Sequence, residues 1–415
     1  MQDILEICCG LDVHKDTVVA CLLKGSTTET PSKEIRTFST LLPNLNILRT
    51  WLEEEHCAHI AMESTGVYWQ PIYTVLEDLF NSTVTLVVTN ARHMKNVPGK
   101  KTDIKDSEWI ATLLRAGLLK SSFIPTEEIR ELRDFTRYRK NIVSDITSQK
   151  NRIEKHLQSC GFKLSTFLSD IFGASGRAII DHLSERGVIS PGKIQEYVKG
   201  RAKAKTEDIK IAVNGKMTEH QKDFLKILLN RLDEDRNHLA TLDFKIESAL
   251  ENFKAPTQLI DEIPGINITA AATIIAEIGI DMSKFKTAQH ISSWAGLSPG
   301  NNESAGKRKS TRITKGNTYL KTVLCEVAWS ITRVKSSYLS SWFWKLKQRR
   351  GAKKAVIALA RKILVIIYTM LKENTSFDED RFDMLSKIQQ EKRKNRILLE
   401  AKKLGLNISD SSRLA

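Results

Sequence analysis

Leu225, Leu228, Leu232, Asp235, Leu239, Leu242, Ile246, Ala249 and Phe253 recur at alternating intervals of three and four residues. An α-helix places such positions along one narrow stripe, and a stripe of this kind needs a second helix against it. Ile142, Ile146, Ile153 and Leu157 show the same seam upstream, so the middle of the chain is expected to form a coiled-coil pair or a dimer helix. Asp235 either fixes the register of that seam or marks a place where it frays. Residues 161–218, which include KGRAKAKTEDIK, keep no sustained period and read as an exposed, basic connector.

The first 125 residues follow a different rhythm. Residues 4–11 and 17–23 are rich in Ile, Leu, Val and Cys and are separated by a polar His-Lys-Asp segment, as in two strands joined by a turn. A third apolar run, HIAME, ends at Glu63; a helix is expected from Val67 to Leu79, and TVTLVVTN (83–90) reads as a buried strand. Ile110, Leu113, Leu114 and Leu118 then take helical spacing behind Asp106. Strands and helices alternate, which predicts an α/β domain.

Acidic residues punctuate this region in three contexts: Asp12 in GLDVHKDTV, Glu63 in AMESTGVYW, and Asp103 with Asp106 in KKTDIKDSEWIA. Lone acids beside strands usually cap or solvate an element, and an acidic first turn suits any helix. An acid on one strand, a second at the end of another and a late helical pair together form the pattern of the ribonuclease H fold as used in junction-resolving nucleases. Carboxylates gathered from such segments hold hard cations, Mg²⁺ or Mn²⁺, against a phosphodiester. His14 and His93 read as structural and not as ligands.

Charge is uneven along the chain. The protein has 415 residues, 64 Lys and Arg against 49 Asp and Glu, and a net charge of +15. Residues 301–372 hold 17 Lys and Arg against Glu303 and Glu326 alone, so the surface for a polyanion is expected there. Within it, SSWAGLSPGNNESAGKRKSTRITKGNTYLKTVL (292–324) is a loop of small residues loaded with cations, in which Ser304 precedes Lys307, Arg308 and Lys309. Its hydroxyl is a candidate nucleophile toward a phosphate whose charge those side chains offset. Upstream, DEIPGINITAAATIIAEIG (261–279) resembles a helix-hairpin-helix element, whose turn at Gly265 would offer backbone N–H groups to a phosphate. Lys100, Lys101, Arg312 and Lys315 complete the candidate nucleic-acid contacts. Trp294 and Trp329 stand in apolar helical patterns and read as core, whereas Trp342 and Trp344 are the candidates for base stacking.

Other classes are disfavoured. The six cysteines form no CxxC pair, against a zinc site or a disulfide framework. No P-loop motif is present. The first twelve residues show no basic n-region of a secretory signal, and the apolar stretch Ile363–Leu371 is too short to span a bilayer. A cytoplasmic, nucleoid-associated protein without membrane contact is expected.

The motifs GLDVHKDTV, MESTGVYW, ARHMKNVPGKKTDIKDSEWIATLLRAGLL, IPGI, AEIG, SWAGLSPGNNESAGKRKSTR and KGN together resemble the insertion-sequence transposases with an N-terminal DEDD (RuvC-like) domain and a C-terminal serine domain, the family containing the bridge-RNA-guided recombinases. The resemblance spans most of the chain apart from the connector and the tail. It implies that Asp12, Glu63, Asp103 and Asp106 are the catalytic, metal-binding set, and that Ser304 forms a covalent phosphoserine link to DNA. It further implies a structured noncoding guide RNA that pairs with donor and target DNA, and homodimers that assemble into a tetramer. Glu303, beside Ser304, is compatible with the pattern.

The expected architecture is an RNase H-like α/β domain (1–125), a helical coiled-coil region with the basic connector (126–255), a small α-helical serine domain with the helix-hairpin-helix-like element (256–372) and a charged tail (373–415). The expected activity is DNA transposition by metal-assisted strand cleavage and exchange. The competing readings are a hydrolytic Holliday-junction-type nuclease and a non-catalytic RNA- or DNA-binding protein.

Overall fold

The computed structural model describes residues 3–64, 66–77, 85–90, 106–300, 302–304, 307–310, 312–335, 337–379, 391 and 394–400, with residues 302–310 described by backbone alone. Two compact units divide the chain, residues 1–124 and 125–415.

In the first unit, β1 (Ile7–Val13), β2 (Thr17–Lys24) and β3 (Ser32–Ser39) form an antiparallel meander. Helix α1 (Leu42–Glu54), β4 (His59–Glu63), α2 (Trp69–Glu77), β5 (Thr85–Thr89) and α3 (Asp106–Arg115) follow. The sheet order is β3-β2-β1-β4-β5, with β4 parallel to both β1 and β5. This mixed sheet, with its meander on one side and parallel strands on the other, is the ribonuclease H-like arrangement expected of the domain.

Side-chain alternation explains how the sheet is covered. Cys9, Leu11, Ile60, Met62 and Val88 face a core with Leu45, Leu48 and Leu52 of α1 and Ile72 and Leu76 of α2. The intervening residues Cys8, Ala61 and Val87 face Ile110, Ala111 and Leu114 of α3. Strand β3 was not anticipated; SKEIRTFS buries Phe38 alone, as an edge strand whose other side chains are exposed or half-buried does.

The second unit is helical apart from one hairpin. Its elements are α4 (Glu127–Ser159), α5 (Ala174–Arg186), α6 (Pro191–Tyr197), α7 (Thr206–Ala212), α8 (Glu219–Leu250), α9 (Lys254–Asp261), α10 (Ile268–Ile278), α11 (Ala288–Trp294), β6 (Asn302–Ser304), β7 (Lys307–Ser310), α12 (Thr318–Ile331), α13 (Tyr338–Arg350) and α14 (Ala352–Glu373). The two seams meet within one chain: α4 and α8 run antiparallel, fixed by Arg139 on Asp243, Gln149 Nε2 donating to the Leu228 carbonyl, and His156 against the Gln221 carbonyl. Helix α8 opens with a reciprocal capping box between Thr218 and Gln221 and continues unbroken through Asp235, so the seam does not fray there. Asp235 is 1% exposed and takes its charge partner, Arg231 at 2.9 Å, from one turn earlier in the same helix.

Residues 161–218 differ from the expected exposed connector. Ile179, Ile180, Leu183, Ile194, Ile209 and Val213 are buried in the same core as the α4–α8 seam. The segment folds as three short helices that each contribute a few apolar side chains, too few to print a period on the sequence.

Candidate acidic edge and serine hairpin

Register and packing set Asp12, Glu63 and the start of α3 at the same end of the sheet. β1 and β4 are parallel with Leu11 opposite Met62, so the next residues, Asp12 and Glu63, stand side by side at the same end of the sheet. Alternation puts Cys8, Gly10 and Asp12 on the face that α3 covers. Cys8 Sγ donates to the Ala111 carbonyl, and Gly10 is where α3 touches the strand: a Cβ there would lie 2.3 Å from the Ser107 carbonyl oxygen and from the Ala111 nitrogen. Helix α3 thus runs antiparallel to β1, and its first residue, Asp106, points back toward the end of the sheet that carries Asp12 and Glu63.

The opposite end of α3 is tied down by a residue that the sequence reading passed over. Arg115 is 1% exposed; its Nε donates to Asp3 at 2.6 Å, and its other nitrogens reach the carbonyls of Glu6, Gly25 and Ser26. Four hydrogen bonds to the open end of the β1–β2 hairpin set how far the helix extends along the strand, and with it the place of Asp106. The only advance sign was a basic residue in the last turn of a buried helix.

His14 Nε2 lies 3.3 Å from Asp12 Oδ2, and the His14 backbone closes the β1–β2 turn by donating to the Thr17 carbonyl. The oxygen-only carboxylate set suits Mg²⁺ or Mn²⁺. Two buried hydroxyls beside it, Thr89 opposite Glu63 and Ser107 next to Asp106, lack a hydrogen-bond partner among the described residues, polar capacity of the kind an ion shell or water takes up. Among the described residues no three acidic, His or Cys side chains already surround a common point. Asp103, the fourth acid, lies outside the described residues, as do Lys100, Lys101 and His93.

In the second unit, Ser304 ends β6 and pairs with Lys307 of β7, and Glu303 pairs with Arg308. The serine therefore sits at the tip of a hairpin whose other strand carries the Lys307, Arg308 and Lys309 backbone. The hairpin grows from a closed neck. Pro299 bridges Ile313, the Gly300 N–H donates to the Arg312 carbonyl, and Gly296 and Gly316 pass so closely that a Cβ on Gly316 would lie 2.2 Å from the Gly296 nitrogen. Arg312 and Lys315, both exposed, flank this neck.

Beneath the neck is a buried charge cluster absent from the sequence reading. Glu277 is 0% exposed and accepts two hydrogen bonds from Arg137, at 2.7 and 2.8 Å, and one from Asn317 Nδ2. Arg133 donates to the Ala276 and Glu277 carbonyls. Burial pushes the Arg133 guanidinium down to about 10, whereas for Arg137 the hydrogen bonds and charge of Glu277 outweigh burial and raise it. Asn317 also caps α12 by accepting from the Leu320 N–H. The acid in AEIG and the Asn in KGN thus act on each other, joining the end of the hairpin loop to α10 and α4.

The Pro-Gly-Ile turn lies between α9 and α10 as expected. Gly265 has φ +86°, and a Cβ on it would meet Ile331 of α12 at 3.0 Å, so packing as well as backbone conformation calls for glycine. Asn267 caps α10 by accepting from the Ala270 N–H. Trp294 packs against Phe285. Trp329 departs from the core position expected of it: 47% exposed, it lies edge-on to Phe343 at the surface. Among the described residues no helix is long and apolar enough to cross a membrane, and α14, which contains Ile363–Leu371, is a core helix.

A transposase model, the DEDD domain of IS110-type elements, matches residues 9–162, and a model described as Transposase IS116/IS110/IS902 family matches residues 257–342. The chain is 29% identical over 159 residues to a probable family 20 transposase of Pseudomonas aeruginosa, covering 37% of this chain and 46% of that protein. It is 32% identical over 124 residues to the transposase for insertion sequence element IS1111A of Coxiella burnetii, covering 29% and 34%. A pilin gene-inverting protein of Moraxella lacunata is 29% identical over 131 residues, covering 31% and 40%. The chain thus spans between a third and a half of the length of these curated relatives. Among solved structures, Thermus thermophilus RuvC aligns over 28% of this chain and 99% of its own, at 8% identity and a TM-score of 0.22. With matched segments in both halves, together more than half of its length, the protein belongs to the IS110/IS116 family of transposases.

Proposed function

We propose that the protein is the transposase of an insertion sequence, cutting and rejoining DNA strands through a serine–phosphate intermediate. What supports this reading is the β1–β4 register, which puts Asp12 beside Glu63, together with the contact of α3 at Gly10, which starts that helix, at Asp106, toward the same end of the sheet. Asp103, three residues before Asp106, supplies the fourth carboxylate. These side chains would hold Mg²⁺ or Mn²⁺, which polarises a scissile phosphate and lowers the cost of charge on the leaving oxygen.

The protein's own contribution is placement. Gly10 and Arg115 fix α3 and so the separation of Asp106 from the strand acids, while the closed neck presents Ser304 at a hairpin tip beside Lys307, Arg308 and Lys309. In the exchange, the Ser304 oxygen forms a bond to phosphorus as the bond to one DNA oxygen breaks; the hydroxyl proton is lost and the departing oxygen gains one. One phosphoester replaces another, so no nucleotide cofactor is consumed. Lys100, Lys101, Arg312, Lys315 and the Gly265 turn would contact phosphates along the strands. The family resemblance adds a structured noncoding RNA that selects donor and target DNA, and a tetramer built from dimers, in which one subunit's acidic edge completes another's serine site.

The test is a trapped reaction with a DNA substrate carrying the element end. Wild type with Mg²⁺ is expected to give a covalent protein–DNA adduct, Ser304→Ala none, and Asp12→Asn neither adduct nor cleavage. Cleavage by Ser304→Ala without any adduct from wild type would replace this reading with the hydrolytic nuclease. Full activity in Asp12→Asn would remove the acidic edge from the mechanism.

A further inference from the structure

An apolar groove of about 920 Å³ opens along α13 and α14. Leu346, Ile357, Val365 and Ile366 form its floor, with Trp342 in the wall. Its rim carries Arg312, Lys353, Lys354, Arg361 and Lys362, and among the described residues no acid lines it. Trp342 is held in place by Lys362, whose ammonium lies 5.0 Å from the indole centroid while donating to the Tyr338 hydroxyl. Pro299 and Ile313, the bridge at the neck of the serine hairpin, also line the groove, so it begins where the hairpin leaves the helical body.

The lining restricts the occupant. A helix of another protein would cover the floor but match the cations only where acids flank its apolar stripe on both sides. A DNA duplex satisfies the cations but keeps its bases stacked inside, out of reach of the floor. An unpaired strand meets both demands: base faces on Trp342 and the aliphatic floor, phosphates on the rim. We propose that the groove is a subsite for an unpaired DNA strand adjoining the phosphate presented to Ser304, a reading that rests on the serine hairpin being the DNA-cutting segment. Strand exchange produces such unpaired ends, and a site at the hairpin neck would hold one between cleavage and rejoining.

The proposal is tested on the full chain with a fluorescent 12-nucleotide oligothymidylate, the corresponding dA·dT duplex and an oligouridylate of equal length. Replacing exposed rim cations (Lys354→Glu with Arg361→Glu) is expected to weaken single-strand DNA binding by roughly tenfold or more and duplex binding by less than about threefold. Trp342→Ala should also weaken single-strand binding, and Trp342→Phe should restore most of it. Oligothymidylate bearing 5-iododeoxyuridine should photo-crosslink to a peptide containing Trp342 or residues 353–366. Equal losses for single strand and duplex, a crosslink mapping elsewhere, or tighter binding of oligouridylate than of oligothymidylate would each overturn it. Ser304→Ala leaves this binding intact if the subsite stands; an adduct persisting in that variant would sink the serine chemistry without altering the binding result.

Discussion

Gly10 shows how much one missing methyl can decide. The backbone of α3 occupies the space a Cβ would need, so Gly10→Ala must lift the helix or bend the strand, at about 1–3 kcal/mol by the usual cost of overpacking. The same shift moves Asp106 off the acidic edge, and metal-dependent cleavage is expected to fall further than stability alone explains. Denaturant unfolding and cleavage assays check this, with Gly192→Ala, a site in α6 with no neighbour within 4 Å, as the control expected to keep or slightly gain stability. Glu277 is the counterpart in the second unit. Glu277→Gln removes the charge that Arg137 and Arg133 face in the interior, and the uncompensated cations should cost on the order of 3 kcal/mol. A fall in unfolding midpoint is the expected result; an unchanged midpoint would show that solvent reaches these arginines. The elements that carry Asp12, Glu63 and Asp106 were legible because each has a short, readable context around it. Glu277 was not, since one acid in an apolar helix shows only an anomaly, and its partners lie 140 residues before it and 40 after it in sequence.

At the level of elements, the seams of α4 and α8 announced themselves through period alone, and the structure supplies their direction. Asp235 interrupts the seam while buried and, among the described residues, is paired only within its own helix. Because desolvating a carboxylate costs more than one intrahelical pair returns, Asp235→Leu is expected to raise unfolding stability by about 1–3 kcal/mol. Urea denaturation of the two proteins measures it, and a loss of stability would instead give Asp235 a register-setting role. The short helices α5, α6 and α7 escaped prediction for a geometric reason: α6 buries only Ile194, and α7 only Ile209 and Ala212. A helix that adds so little to a shared core needs no repeating pattern. Strand β3 escaped because an edge strand that buries a single side chain lacks the run of apolar residues that marked β1 and β2.

Across the whole molecule, buried thiols set an alkaline limit. Burial pushes Cys8 and Cys57 up to about 12 and Cys21 to about 11, and raises Cys9 as well. Each folded thiol keeps its proton to higher pH than its unfolded form, which ionises near 9. The stability they contribute is therefore complete below pH 9 and is lost progressively as pH rises toward 11–12. Equilibrium unfolding at pH 7.5, 9 and 10.5 should show a decline confined to the last interval, and native-state alkylation at pH 8 should leave these four residues unmodified until unfolding. Most of the strands of the RNase H-like sheet could be read from their apolar runs; the groove along α14 could not, because it is assembled from four segments whose charges look, in sequence, like an ordinary solvated face.

The close passage of Gly296 and Gly316 has an evolutionary meaning. Because Gly296 and Gly316 meet at one point, a change in the length of the chain between them need not be passed on to α11 and α12. Under the proposed function, swapping the segment between these two glycines among relatives is the natural way to graft one serine hairpin onto another's frame.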